Sequence, residues 1–232
     1  MFSHLPFVLL SFLILFINSE NISPNKTVPK SEETESHLQF IYSCLSDDNL
    51  NFEAFRLAYK GFIKIHSEKL LFNDSIITVI DYSKPSNVER LYILDIKNVK
   101  ILEKSLVAHG QSTGSLIPES FSNVCQSHKS SLGFYITENT YLGKHGYSLR
   151  IEGLEKGIND NAKKRAIVFH GAQYVSRKYI SKYGRIGRSF GCPALPLEKN
   201  REIIDLIKHR TCVFIYHPSS NYLKASRFII PD

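Results

Sequence analysis

His170 and Cys192 stand 22 residues apart in a stretch that carries an apolar run, a histidine-glycine pair and a glycine-cysteine turn, RAIVFHGA from Arg165 to Ala172 and then SFGCP from Ser189 to Pro193. A cysteine attacks carbonyl carbon as thiolate, and at an ordinary thiol pKa only a few per cent is ionised at neutral pH. A histidine within reach takes the proton and forms an ion pair with the sulfur. Gly191 allows a sharp backbone turn before Cys192, and Pro193 fixes the direction after it. Such a turn aims backbone N–H groups at a developing oxyanion. Arg185 and Arg188 add positive charge that favours thiolate and attracts a carboxylate. The missing side chain at Gly171 leaves its carbonyl open to the second imidazole nitrogen, as a third member that orients the base. Ser189 lacks the G-x-S-x-G setting of a serine nucleophile and reads as a hydrogen-bond donor near the thiol.

Other histidines compete. His109-Gly110 repeats the histidine-glycine signature after another strand, and reads as a rival base or a contact on the cleft wall. His145, in Gly143-Lys144-His145-Gly146, reads as a substrate contact or as a solvated turn. A zinc site from His109, His145, His170 and Cys192 would make a metallohydrolase, but no close ligand pair of the HExxH type supports it. Arg150 and Asn161 read as structural polar residues.

The elements that must carry these residues can be read from periodicity. Residues 37–72 carry two helical patterns, one over Leu38, Ile41, Tyr42 and Leu45 and one from Phe52 to Ile65, separated by the capping run Ser46-Asp47-Asp48. Their apolar faces predict packing against the following domain. From residue 73 the period becomes that of strands: Ser75–Tyr82, Arg90–Ile96, Ile101–Ala108, Phe134–Thr137, Ser148–Ile151, Ala166–Phe169 and Cys212–Tyr216. The sixth of these should end at His170. Leu154–Ala162 reads as a short helix or loop, and Leu197–His209 as a helix. The irregular, mostly β alternation argues against a doubly wound parallel sheet and for a mainly β (α+β) class.

The chain has 232 residues, 43% of them hydrophobic, which is a globular composition. Its formal net charge of +7 suits an anionic partner. The basic residues are scattered and no nucleic-acid motif occurs, so nucleic acid is not the expected partner. Residues 1–19 hold an apolar run from Phe7 to Ile17, too short for a span of about 20 residues and the right length for a signal peptide. The n-region lacks Lys and Arg and Ile17 fits a cleavage site poorly, so an uncleaved N-terminal membrane anchor is the other reading. Residues 20–36 are polar with Pro24 and Pro29, and read as a flexible linker. Of the cysteines, Cys44 and Cys212 are expected as buried small apolar residues, with a bridge between them as the alternative; Cys125 completes the set.

The succession of an apolar run, His170-Gly171 and Ser189-Phe190-Gly191-Cys192 resembles the motif of the L,D-transpeptidases of bacterial cell-wall synthesis, the YkuD-like family. Ser130-Ser131-Leu132-Gly133-Phe134-Tyr135 is similar to that family's strand before the substrate cleft. The resemblance covers roughly residues 91–216, and the stretches GKHGYSLRIEGLEKGIND and GCPAL are similar to a subgroup of murein L,D-transpeptidase catalytic domains. It implies an exported, periplasmic or envelope-associated enzyme with a β-sandwich or barrel at 73–232, peripheral helices and no cofactor or metal. Cys192 would be the nucleophile, His170 the base and Gly171 its orienter. The substrate would be peptidoglycan stem peptides, cross-linked through a thioester. Water as acceptor would make an L,D-carboxypeptidase, and loss of activity would leave a cell-wall-binding module. Pro193-Ala194 stand where better-known members carry arginine or asparagine, so that position's carboxylate role does not carry over. Arg188 is the substitute, beside Gly191, Ser189 and His109 as expected substrate contacts. Phe190 stands where many members have histidine.

Overall fold

The computed structural model describes residues 30–230. The apolar run of residues 1–19, and the linker up to residue 29, lie outside the described residues. Two helices come first, α1 (Lys30–Leu45) and α2 (Phe52–Ser67). Asn51 starts α2 by accepting the Ala54 N–H at 3.0 Å. Its buried residues Ala54, Phe55, Ala58, Phe62 and Ile65 recur at three- and four-residue steps and form one face. Gly61 lies on that face, and a Cβ there would come within 2.0 Å of the Phe134 ring. The helix therefore packs against the sheet more closely than any side chain would permit.

The sheet is built from β1 (Ile76–Asp81), β2 (Leu91–Asp95), β3 (Lys100–Ser105), β4 (Gly133–Gly143), β5 (Gly146–Gly153), β6 (Val168–Ala172), β7 (Ala194–Pro196) and β8 (Cys212–Tyr216). Three further helices are α3 (Arg177–Tyr183), α4 (Asn200–Ile207) and α5 (Ser220–Ala225). The strand order is β3-β2-β1-β8-β4-β5-β6-β7. β8, last in sequence, lies in the middle, parallel to β1 and antiparallel to β4. All five of its residues are buried, which explains its continuous apolar sequence. α2 lies against β1 and β8, and α4 against β5, β6 and β1.

The two ends of this sheet are drawn together. After β3 the chain leaves the ladder: Ala108 N–H donates to the Ala194 carbonyl (2.8 Å), Ser189 N–H to the His109 carbonyl (2.9 Å) and Gln111 N–H to the Ser189 carbonyl (2.7 Å). The result is a nearly closed β core with peripheral helices, the mainly β (α+β) class expected. The third strand is shorter than its apolar run suggested: Ala108 and His109 pair with Ala194 and Ser189 rather than with β2. Ala166 is not in a strand; it has a φ of +52°. β6 instead runs through His170 and Gly171, so the histidine is mid-strand rather than at a strand end.

α3 was not legible as a helix from apolar periodicity, because none of its residues is buried. Its signals are terminal. Ser176 accepts the Tyr179 N–H, and Gly184 closes the helix with a φ of +72°. Among the cysteines, Cys212 is buried as expected, whereas Cys44 is exposed, and neither is in a disulfide. Among the described residues no helix is long and apolar enough to cross a membrane.

Candidate active site

β6 and β7 run parallel with His170 opposite Ala194. Cys192 precedes Ala194 by two residues, so the register brings the histidine and the cysteine to one end of this strand pair. Both line a cavity of about 410 Å³. Tyr141, Lys144 and His145 of the β4–β5 hairpin form one part of its wall. Gly143 pairs with Gly146, which leaves Lys144-His145 as a two-residue turn at the cleft.

His170 is buried, and its Nδ1 lies 3.1 Å from the Gly171 carbonyl oxygen. A carbonyl only accepts, so Nδ1 carries the proton and Nε2 is left as the basic nitrogen. The exposed His145 ring stacks on His170 with centroids 4.4 Å apart and planes at 24°. Burial pushes the His170 pKa down, the Gly171 bond pulls it up, and the neighbouring His145 and Lys144 push it down further. The imidazole is therefore neutral at rest near neutral pH.

The half-buried Cys192 points its sulfur at the Ala166 carbonyl, 3.7 Å away. Burial pushes the thiol pKa up, while the Val168 N–H, Arg165 and Lys144 draw it down. A raised thiol and a lowered histidine both favour the neutral forms. The cations that favour thiolate differ from those expected. They are Arg165 and Lys144; Arg185 and Arg188 act electrostatically on His109 instead.

The turn before Cys192 is held from several sides. Gly191 has a φ of +124°, and a Cβ there would lie 2.9 Å from the Lys129 carbonyl oxygen. Its N–H donates to Ser189 Oγ (3.0 Å), so this donor is already engaged within the turn. Ser189 Oγ in turn donates to the Cys192 carbonyl (2.7 Å), and Ser130 Oγ to the Gly191 carbonyl (3.1 Å). Ser189 is thus a donor near the thiol, to the backbone rather than to sulfur. Arg188 lines the cavity and donates to the carbonyls of Gln111 and Gly114 (3.1 and 3.0 Å).

His109 is not brought to the cavity. It is fully buried, its Nδ1 accepts from Arg90 Nη2 at 2.7 Å, and its Nε2 donates to the Gly114 carbonyl at 3.2 Å. Burial and Arg90 push its pKa down to about 3, so it is neutral with both nitrogens engaged. Its backbone carbonyl, rather than its ring, meets the cysteine loop. Phe190 is exposed and stacks on His128 with centroids 4.4 Å apart. Among the described residues no group of three or more His, Cys, Asp or Glu side chains is placed to hold a metal ion.

Sequence reasoning passed over Arg165, Lys144 and Tyr174, all of which line the cavity. Arg165 also donates to the Ser122 carbonyl (2.8 Å), to Ser131 Oγ (3.1 Å) and to the Lys129 carbonyl. Burial raises Tyr174 to about 12, with the Cys192 sulfur adding to the shift. Their one signal in the sequence is adjacency to motif residues, Tyr174 to His170-Gly171 and Arg165 to the strand before it.

A family model for the L,D-transpeptidase catalytic domain (YkuD_2) matches residues 46–216. No curated protein matches the sequence. Similar solved structures include an L,D-transpeptidase from Mycobacterium smegmatis, 10% identical over 62% of this chain and 59% of that one, with a TM-score of 0.38. The helical cell shape determining protein Pgp2 from Campylobacter jejuni is 13% identical over 63% of this chain and 49% of that one, with a TM-score of 0.40. An L,D-transpeptidase from Stackebrandtia nassauensis is 11% identical over 79% and 77%, with a TM-score of 0.37. The chain thus spans 59% of the length of the first of these. The family model covers most of the chain, including every strand from β1 to β8, and the chain belongs to the L,D-transpeptidase catalytic domain family.

Proposed function

We propose that this chain is a cysteine-dependent peptidoglycan L,D-transpeptidase. The observation that carries the reading is the convergence of His170 and Cys192 on one cavity, with His170 Nδ1 tied to the Gly171 carbonyl. Because both groups favour their neutral forms, proton transfer belongs to the attack itself. His170 Nε2 takes the thiol proton as sulfur bonds to the carbonyl carbon at the L-centre of a diamino-acid residue in the donor stem. The carbon–nitrogen bond to the terminal D-Ala then breaks, and the imidazolium returns the proton to the leaving amine. An amine of a second stem attacks the thioester, His170 accepts its proton, and the sulfur leaves and recovers a proton as thiol. The cavity wall includes Lys144, Arg165 and Arg188 and, among the described residues, no Asp or Glu, which suits a substrate bearing carboxylates. With the Gly191 N–H engaged by Ser189, it is not a free donor for the oxyanion, so Gly191 serves the site by shaping the turn. We assign residues 1–19 to export or anchoring, and the folded part to the cell envelope, on the strength of the apolar run and the substrate.

The full chain incubated with tetrapeptide muropeptides should release D-Ala and give cross-linked dimer by mass spectrometry. Cys192→Ala should give neither, and a product formed by that variant overturns the mechanism. D-Ala release without dimer assigns the L,D-carboxypeptidase reaction instead.

A further inference from the structure

The segment between the candidate base and the candidate nucleophile carries a surface that the proposed chemistry does not use. Residues 173–188 hold five Lys or Arg residues and no Asp or Glu, in a chain whose net charge is +7. Arg177 pairs with Glu89, and Arg185 and Arg188 donate to backbone carbonyls. Lys178 and Lys182 are exposed and make no ion pair with a described residue. They flank Tyr179 and Tyr183, one helical turn apart on α3, whose rings lie 4.4 Å apart at 41°. Tyr183 is 51% exposed, and Lys182 Nζ sits 5.1 Å from its ring centroid. The helix buries none of its own residues and is held by its caps, by the Arg177–Glu89 pair and by the partly buried Ile180; Lys178, Lys182 and Tyr183 are exposed and Tyr179 is half-buried.

This face is continuous with the cleft. It lines a second, more open cavity of about 480 Å³, and Tyr174 forms a wall of both cavities. A ligand lying across Tyr179 and Tyr183 therefore reaches Tyr174 and the thiol's surroundings without leaving the surface. Tyrosine rings offer apolar faces with polar edges, which suits a peptide of mixed character. Unpaired lysines select for carboxylates, and a neutral sugar chain would use the rings while leaving that charge unanswered.

We propose that the Tyr174–Tyr179–Tyr183 face of α3, with Lys178 and Lys182, is the docking surface for the second substrate, the carboxylate-bearing stem peptide whose amine accepts the acyl group. This rests on reading the cleft as a transpeptidase site. The surface lies outside the cavity that holds His170 and Cys192, so the two half-reactions separate its role from theirs.

The test uses the full chain with Lys178→Glu/Lys182→Glu and, separately, Tyr179→Ala/Tyr183→Ala. D-Ala release from a tetrapeptide stem whose side-chain amine is acetylated, and which cannot accept, should stay within about twofold of the parent, while the concentration of a separate amine-bearing tripeptide stem for half-maximal dimer formation should rise about tenfold, since each lysine changes from attraction to repulsion. Lys178→Arg/Lys182→Arg should restore it. An unchanged acceptor dependence, or a D-Ala release that falls in step with dimer formation, overturns the proposal. If the parent chain forms no thioester, the transpeptidase reading has failed rather than the surface. Binding of the tetrapeptide muropeptide to the Cys192→Ala chain then decides: weaker binding by the charge-reversed variant supports the surface and equal binding overturns it. A neutral chitooligosaccharide that binds as tightly as the muropeptide also overturns the peptide assignment.

Discussion

At the thiol, burial and two nearby cations act in opposite directions. Burial favours the neutral sulfur, while Arg165 and Lys144 favour thiolate. Arg165 is bound into the loop backbone, so its replacement would disturb the turn as well as the charge. Lys144 is on an exposed two-residue turn and is the cleaner probe. Lys144→Gln should move the pH midpoint of Cys192 alkylation by iodoacetamide upward, by about half a pH unit, as expected for an exposed cation in a screened setting. The same change removes one cause that lowers His170. A midpoint that stays put or falls would show that Lys144 does not act on the sulfur. The direction follows from charge alone, because a cation stabilises the charged form of a thiol and destabilises the charged form of a histidine.

The loop bearing Cys192 is supported as an element by chain that lies far from it in sequence. Gly110 bridges Ser189, and the carbonyl of His109 accepts the Ser189 N–H. Beneath this bridge Arg90 is fully buried; it donates to the Val107 carbonyl at 2.8 Å and 3.1 Å and to His109 Nδ1, and burial lowers its pKa to about 10. It remains charged at neutral pH with its donors directed at acceptors. His109 is therefore a link between Arg90 and Gly114, and its role is separable from a catalytic one. His109→Ala should destabilise the chain by about 1–3 kcal/mol in urea denaturation, the cost of leaving buried polar groups without partners. The alkylation midpoint of Cys192 should not change. A shifted midpoint with unchanged stability would return His109 to the catalytic chemistry.

Across the molecule, the end of the chain is fastened to the middle of the sheet through one buried carboxyl. Glu155 accepts the Phe134 N–H (2.7 Å) and the Tyr222 hydroxyl (3.2 Å), together with the Ser226 hydroxyl. Burial raises its pKa above the ordinary carboxylate value, with these hydrogen bonds opposing the rise. A group whose folded pKa is raised contributes stability that is fully present below its unfolded pKa and is lost as pH rises through the folded pKa. Glu155→Gln keeps an acceptor for the Phe134 N–H and has no charge to bury. The parent should therefore lose stability relative to Glu155→Gln from about pH 4.5 upward, the ordinary carboxylate range, as read by thermal melts across pH. A parent that gains stability on that variant as pH rises would mean the carboxylate charge is favoured in the fold.

The sequence alone determined the class of the core and the strand positions of β1, β2 and β8, and it singled out His170 and Cys192, which the fold brings to one cavity, because each leaves a local mark. Strands buried on both faces read as continuous apolar runs, and a glycine-cysteine-proline turn is conspicuous wherever it occurs. Tertiary structure decided the rest. Gly110 meets Ser189, Lys144 and Arg165 come to act electrostatically on the thiol, and His109 turns inward through pairings across long stretches of chain, for which no residue type or spacing leaves a local sign. The directions in which the Cys192 and His170 pKa values move arise there too, since they follow how far each group is withdrawn from water and which charges lie near it.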